Sequence, residues 1–178
     1  MRQGGCHPER RKGSGFLQVS PKLLKHKYFF AGQYKNSWLT LTKFHELGHQ
    51  GLADLYYRLL LEGDSIEKII KEPAFENNEN MRNVALLAIH LKEGDRPAAE
   101  KIVAGLLDQD LVFMYRNYFI ALAHAYGDDP GGVTFWLERS LSKKESELTY
   151  LGVEPAFKKF INEPGVEKIL LELDYPFI

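Results

Sequence analysis

Apolar residues along this chain recur three and four positions apart, in segments that short glycine-containing turns separate. In the segment before Gly63, for example, Leu52, Leu55, Tyr56 and Leu59 would all lie on one side of a helix. No segment shows a convincing alternation of apolar and polar residues, which would indicate strands. The pattern therefore predicts an all-α protein in which each helix buries one face against its neighbours.

Four glycines interrupt the pattern at nearly equal intervals. Gly32, Gly63, Gly94 and Gly127 are separated by 31, 31 and 33 residues. Each follows one helix-like segment and precedes another, as expected where glycine ends a helix in the left-handed conformation and a nearby Asp or Ser caps the next. Counted from Gly127, the following helix carries an apparent extra residue. The spacing predicts about four helix hairpins.

The hairpins can be placed residue by residue from the apolar stripes. We predict their first helices at 21–31, 50–62, 79–93 and 111–126, and their second helices at 33–47, 64–71, 97–107 and 130–142. The helix at 64–71 is short because Pro73 blocks its continuation. One hairpin cannot bury its apolar stripe alone, whereas four stacked hairpins can.

Three regions follow from this placement. Residues 1–15 are basic and glycine-rich, which is typical of a flexible leader, and residues 16–147 hold the helical repeats. In residues 148–178, Pro155 and Pro164 can each start a short helix, and apolar residues at helical spacing can cover the last hairpin as a cap. These residues are Phe157, Phe160, Val166, Ile169, Leu170 and Leu173.

Several strings resemble tetratricopeptide repeats, in which two helices and a turn recur every ~34 residues. Gly32-Gln33-Tyr34 followed by the small residue Ser37 looks like the second helix of such a repeat. WLERS at 136–140 and VEPAF at 153–157 resemble the C-terminal tetratricopeptide tails of bacterial multi-domain regulators. Such tails carry V-D-P-x-F, where Glu154 replaces the Asp here. The resemblance covers roughly 21–176 and implies an α-solenoid of about four hairpins.

The resemblance also implies a binding groove. The first helices of a tetratricopeptide stack line a concave face on which an extended peptide or a partner helix can lie. We therefore expect a protein-interaction scaffold or regulatory module whose partner is a protein or peptide, such as an upstream effector domain. Self-association into a homo-oligomeric scaffold is an alternative. The predicted groove residues are His26, Phe30, Tyr57, Leu61, Ala88, Lys92, Asn117 and His124.

One short motif points to different chemistry. The string from His45 to His49 fits H-E-x-x-H, in which two His on one helical face bind zinc while the Glu, here Glu46, activates water. The repeat register ends the helix near Leu47, however, and Gly48 would break the helix that the ligands require. No third ligand stands out. An ordinary helix end is therefore favoured, with a zinc metallopeptidase using His45, Glu46 and His49 as the alternative.

Composition narrows the remaining possibilities. Lys and Arg number 23 against 24 Asp and Glu, so the net charge of −1 gives no electrostatic reason to bind nucleic acid or anionic lipid. Cys6 is the single cysteine, so an internal disulfide is impossible. No apolar run approaches the ~20 residues of a membrane helix, and no signal peptide is recognisable. We expect a cytoplasmic, non-enzymatic protein without a bound metal or cofactor.

Overall fold

The computed structural model describes residues 27–47, 53–63, 68, 71, 78–108 and 116–174, and within these ranges the protein is helical and contains no strand. The all-α prediction is thus confirmed for this part of the chain. Its α-helices are α1 Tyr34–Glu46, α2 Ala53–Glu62, α3 Glu79–Glu93, α4 Arg96–Asp108, α5 Arg116–Tyr126, α6 Pro130–Ser142 and α7 Pro164–Glu172, and its 3-10 helices are Ser146–Tyr150 and Pro155–Phe160.

The helix bounds agree closely with the hydrophobic pattern. α1, α3, α4 and α6 each begin and end within one residue of the predicted positions, and Pro155 and Pro164 each start a helix as expected. The predicted helix at 64–71 lies mostly outside the described residues, of which Lys68 and Lys71 are helical. The predicted leader at 1–15 also lies outside them.

Helices that follow one another along the chain pack together. α3 packs against α4 and α5 against α6, each pair being joined by a short turn, while α2 packs on α3 and α3 on α5. The first helices of successive hairpins therefore form one continuous layer, with Leu59, Leu87 and Ile120 in its core. α7 packs on α6, and the second 3-10 helix packs on α5. None of the described helices combines the length and the apolar character needed to cross a membrane.

Three turns between a first and a second helix close in the same way. In each, the backbone N–H that precedes the second helix donates to a carbonyl five residues earlier, which satisfies a helix-end acceptor. The pairs are Gln33 to Tyr28, Asp95 to His90 and Asp129 to His124, at 2.8, 2.8 and 3.0 Å. The residue before each donor has a left-handed φ, of 69° at Gly32, 77° at Gly94 and 60° at Asp128.

These closures correct the register of the last hairpin. The left-handed position equivalent to Gly94 is Asp128 and not Gly127, so the turns lie 34 residues apart and α6 carries no extra residue. Asp can occupy this conformation because its short polar side chain tolerates left-handed backbone. The prediction that Gly127 marks the turn is therefore wrong by one position.

Gly127 has a packing role instead. A Cβ added there would lie 2.5 Å from the Cβ of Leu91 and 3.3 Å from the carbonyl oxygen of Ala88. Both neighbours belong to α3, so glycine permits the close approach of α3 to the end of α5.

We expect Gly127→Ala to destabilise the protein by about 1–3 kcal/mol, because the new methyl group overlaps α3. Gly105 in α4 is a matched control, since an added Cβ meets no atom of the described residues within 4 Å. Gly105→Ala should raise the free energy of unfolding by about 0.5–1 kcal/mol, since alanine favours helix. Urea unfolding measures both, and a Gly127→Ala variant as stable as the native protein would contradict the close approach.

Candidate functional site

The structure buries four of the eight residues that were predicted to line an open groove. Tyr57 and Ala88 are 0% and 2% exposed, and Asn117 and His124 are each 9% exposed. Phe30 and Leu61 are partly buried, Lys92 is exposed, and His26 lies outside the described residues. The expectation of open positions is therefore wrong for Tyr57, Ala88, Asn117 and His124. Ala88 is buried because α3 and α5 approach each other beside it.

A second cause of burial is the C-terminal segment, residues 146–160. Its Tyr150 ring stacks on Phe30, with centroids 5.3 Å apart and planes at 15°. Its Phe157 ring meets Tyr118 edge to face, with centroids 5.7 Å apart. We call the surface beneath it, formed by Phe30, α2 and α5, the covered surface. The chain's own C-terminal segment thus occupies part of the predicted groove.

A buried ion pair links this segment to α2. The Arg58 Nη1 donates to the Glu154 Oε2 at 2.9 Å, and the two side chains are 3% and 0% exposed. The guanidinium also lies 5.5–6.0 Å from the ring centroids of Phe29, Phe30 and Phe119. Burying an ion costs several kcal/mol unless it is paired, so each charge requires the other. The ion pair therefore specifies where the segment lies.

Asn117 takes part in a second anchor. Glu145 accepts hydrogen bonds from the backbone N–H of Asn117 at 3.1 Å and of Tyr118 at 2.8 Å, from Asn117 Nδ2 at 2.7 Å and from Ser140 Oγ at 2.8 Å. A carboxylate here satisfies the free N–H groups at the start of α5 and interacts favourably with its dipole. Asn117 thus has a structural role, and a charged substitution at Asn117 or Tyr57 would test folding rather than binding.

His124 forms a pair with the residue that caps α6. The His124 Nδ1 lies 2.9 Å from the Asp129 Oδ2, while the Asp129 Oδ1 accepts from the Gly132 N–H at 3.2 Å. Because a carboxylate only accepts, Nδ1 carries the proton and Nε2 of the neutral ring is an acceptor. Nε2 is buried and has no hydrogen-bond partner among the described residues.

Burial lowers the pKa of His124 below its ordinary value of 6.5, and the positive charge of Arg96 lowers it further, while Asp129 acts in the opposite direction. Burial raises the pKa of Asp129, but hydrogen bonds from Gly132 and His124 outweigh it, so the net shift is downward. The pair therefore favours a neutral imidazole beside an ionised carboxylate.

His124 and Asp129 lie at a pocket of about 380 Å³, which we call the α4 pocket. Its walls are α4 on one side and the α5–α6 hairpin on the other, with two leucines of α3 between them. The pocket is mainly apolar, with charged side chains from the start of α4. Its lining residues are Leu87, Leu91, Arg96, Ala99, Glu100, Val103, Ala104, Leu107, His124, Asp129 and Trp136.

Neither the Arg58–Glu154 ion pair nor the α4 pocket was predicted from the sequence. Arg58 and Glu154 are 96 positions apart, and no local pattern pairs them. A signal for the pocket does exist, since the His-x₄-Asp pattern of His90–Asp95 recurs 34 residues later at His124–Asp129, although it also occurs at His49–Asp54. Aligning the repeats on these pairs would have corrected the register and drawn attention to His124.

The H-E-x-x-H string does not form one continuous helix. α1 ends at Glu46, as the repeat register predicts, and both His45 and Glu46 are exposed. His49 lies outside the described residues, among which no group of three His, Cys, Asp or Glu side chains is placed to hold a metal ion.

No family model, curated protein or solved structure matches this chain. The interpretation of its surfaces therefore depends on their geometry, and the tetratricopeptide relationship stays a prediction.

We expect the free energy of unfolding to decrease as the pH falls below 6.5. The unfolded chain binds a proton at the ordinary histidine pKa of 6.5, whereas the pKa of folded His124 is lower, so acid favours the unfolded state. Well above pH 6.5 the histidine is neutral in both the folded and the unfolded chain, and this contribution disappears. His124→Asn, which keeps a donor for Asp129, should flatten the profile between pH 7 and the folded pKa. Urea unfolding at a series of pH values measures it, and equal slopes for both proteins would contradict the assignment.

Proposed function

We propose that this protein is a tetratricopeptide-like solenoid that acts as a protein-interaction module, and that its partner binds at the α4 pocket. The observation that carries the proposal is the pocket itself, about 380 Å³ of mainly apolar space between two hairpins. Pockets that bind small ligands or side chains typically have volumes of about 300–1,000 Å³, apolar walls and a few convergent polar groups. The 34-residue interval between the last two turns supports the solenoid part of the proposal.

The α4 pocket is favoured over the groove of the first helices because residues 146–160 already occupy the covered surface. At the α4 pocket, in contrast, Ala104 and Leu107 are exposed, Leu107 to 38%. A peptide that docks on helices typically inserts apolar anchor side chains into such a space. The partner is therefore a peptide or helix that places a bulky apolar residue between α4 and Trp136.

Charged residues of α4 would orient the partner more than hold it. Arg96 and Glu100 line the pocket, carry opposite charges and are both exposed. Exposed pairs contribute little affinity but discriminate against a partner of the wrong charge. Apolar contact should therefore dominate affinity, with a weak dependence on salt.

Filling the pocket should weaken partner binding. Random peptides displayed on phage would be selected on the native protein, and the best peptide labelled for fluorescence polarisation. We expect Ala104→Phe to weaken its binding at least about tenfold, since losing an anchor contact costs more than about 1 kcal/mol.

Lys101→Phe is the matched control, because Lys101 lies on an exposed part of the same helix and does not line the pocket. This variant should bind like the native protein. Equal binding of the peptide to Ala104→Phe and to the native protein, or failure to select any peptide, would reject the α4 pocket as the partner site.

A further inference from the structure

The contact between the C-terminal segment and the covered surface is chemically selective. A cap that only shields apolar side chains could depend on Phe157 and Leu151, both fully buried. Arg58 and Glu154 add a buried ion pair, although apolar residues of similar size are often equally stabilising in such a position. What the ion pair adds is discrimination between occupants of this surface. An occupant that lacks a carboxylate would leave buried Arg58 without a counter-charge.

The covered surface contacts one carboxylate and two aromatic rings of its occupant, at fixed positions along the occupant's chain. Arg58 receives the carboxylate of Glu154, and Tyr118 packs against the aromatic ring three residues later in the chain, Phe157. Phe30 stacks on the aromatic ring four residues before the carboxylate, Tyr150. Charge complementarity and two ring contacts together define the kind of segment that fits.

We infer that the covered surface is a docking site for protein segments in which a carboxylate is followed three residues later by an aromatic side chain, and that residues 146–160 occupy it until such a partner replaces them. This site is separate from the α4 pocket, and the inference stands independently of the proposed function.

Replacement exchanges one set of contacts for another, because Leu151 and Phe157 of the segment lie in the core and a partner must supply apolar side chains in their place. Glu145 holds its start to α5, and α7 packs on α6 beyond its end, so the segment can leave as a loop between two anchors. It consists of short 3-10 helices, and Tyr150 and Val153 are 42% and 43% exposed. Because the tethered segment competes, a partner binds with an apparent affinity reduced by the fraction of molecules in which the surface is open.

A labelled synthetic peptide of residues 148–161 tests the inference on the full-length protein. The native protein should bind it weakly. A chain carrying Glu154→Gln and Phe157→Ala, whose own segment is weakened, should bind it at least about tenfold more tightly, because the open fraction rises. The same peptide with Gln at the position of Glu154 should bind at least about tenfold more weakly, since it cannot neutralise Arg58.

Two controls keep the result interpretable. Lys158→Ala changes an exposed residue of the same segment and should bind the peptide as weakly as the native protein does. Tyr150→Ala removes only a half-exposed ring contact, so it should keep the fold and still increase binding if the double variant unfolds. Circular dichroism reports folding, and light scattering reports oligomeric state.

Three results would overturn the inference. The first is that neither the double variant nor Tyr150→Ala, when folded, binds the peptide more tightly than the native protein does. The second is that the peptides with Glu and with Gln bind equally well. The third is that the variants dimerise and do not bind the peptide. The last would mean that the surface accepts the segment of a second copy and not a foreign partner.

Discussion

A buried charge requires a counter-charge, and in this protein Arg58 forms an ion pair with Glu154, 96 positions away in the sequence. Three aromatic rings lie within 6.0 Å of the guanidinium, and Arg58 is 3% exposed, so bulk solvent has little access to it. The contact joins the second hairpin to the C-terminal segment, and the hairpins between them must stack at a spacing that allows it. Together with the ring contacts of Tyr150 and Phe157, this ion pair holds residues 146–160 on the covered surface.

The local part of this architecture could be read from the sequence. The helix bounds were predictable because apolar spacing, glycine and proline act within one or two turns of chain. The burial of Asn117 was not, because its partner Glu145 lies 28 positions away, after α6. Nor was the stacking of Phe30 on Tyr150 of the C-terminal segment. The register predicted from Gly127 was wrong for a related reason. A glycine is needed there because α3 packs closely against it, not because the turn requires one.

Two surfaces of different character result. The covered surface contains a buried charge and is filled, so its affinity for any other protein is limited by competition with a tethered segment. The α4 pocket is mainly apolar, and none of the residues that the structure describes fills it. The two surfaces differ in chemistry, since one pairs a buried guanidinium with a carboxylate and the other is lined mainly by apolar side chains.

Gly132 contributes to the polar end of the pocket. The His-x₄-Asp pair occurs in both turns, but His90 Nδ1 lies 3.5 Å from Asp95, whereas His124 Nδ1 lies 2.9 Å from Asp129. Gly132 stands where the earlier turn has Ala98, and a Cβ at Gly132 would lie 2.0 Å from the His124 ring. Loss of one methyl group thus lets the imidazole close on its carboxylate. The same His-x₄-Asp pair therefore lies in a partly exposed turn in one hairpin, whereas in the next it places a buried imidazole at a pocket.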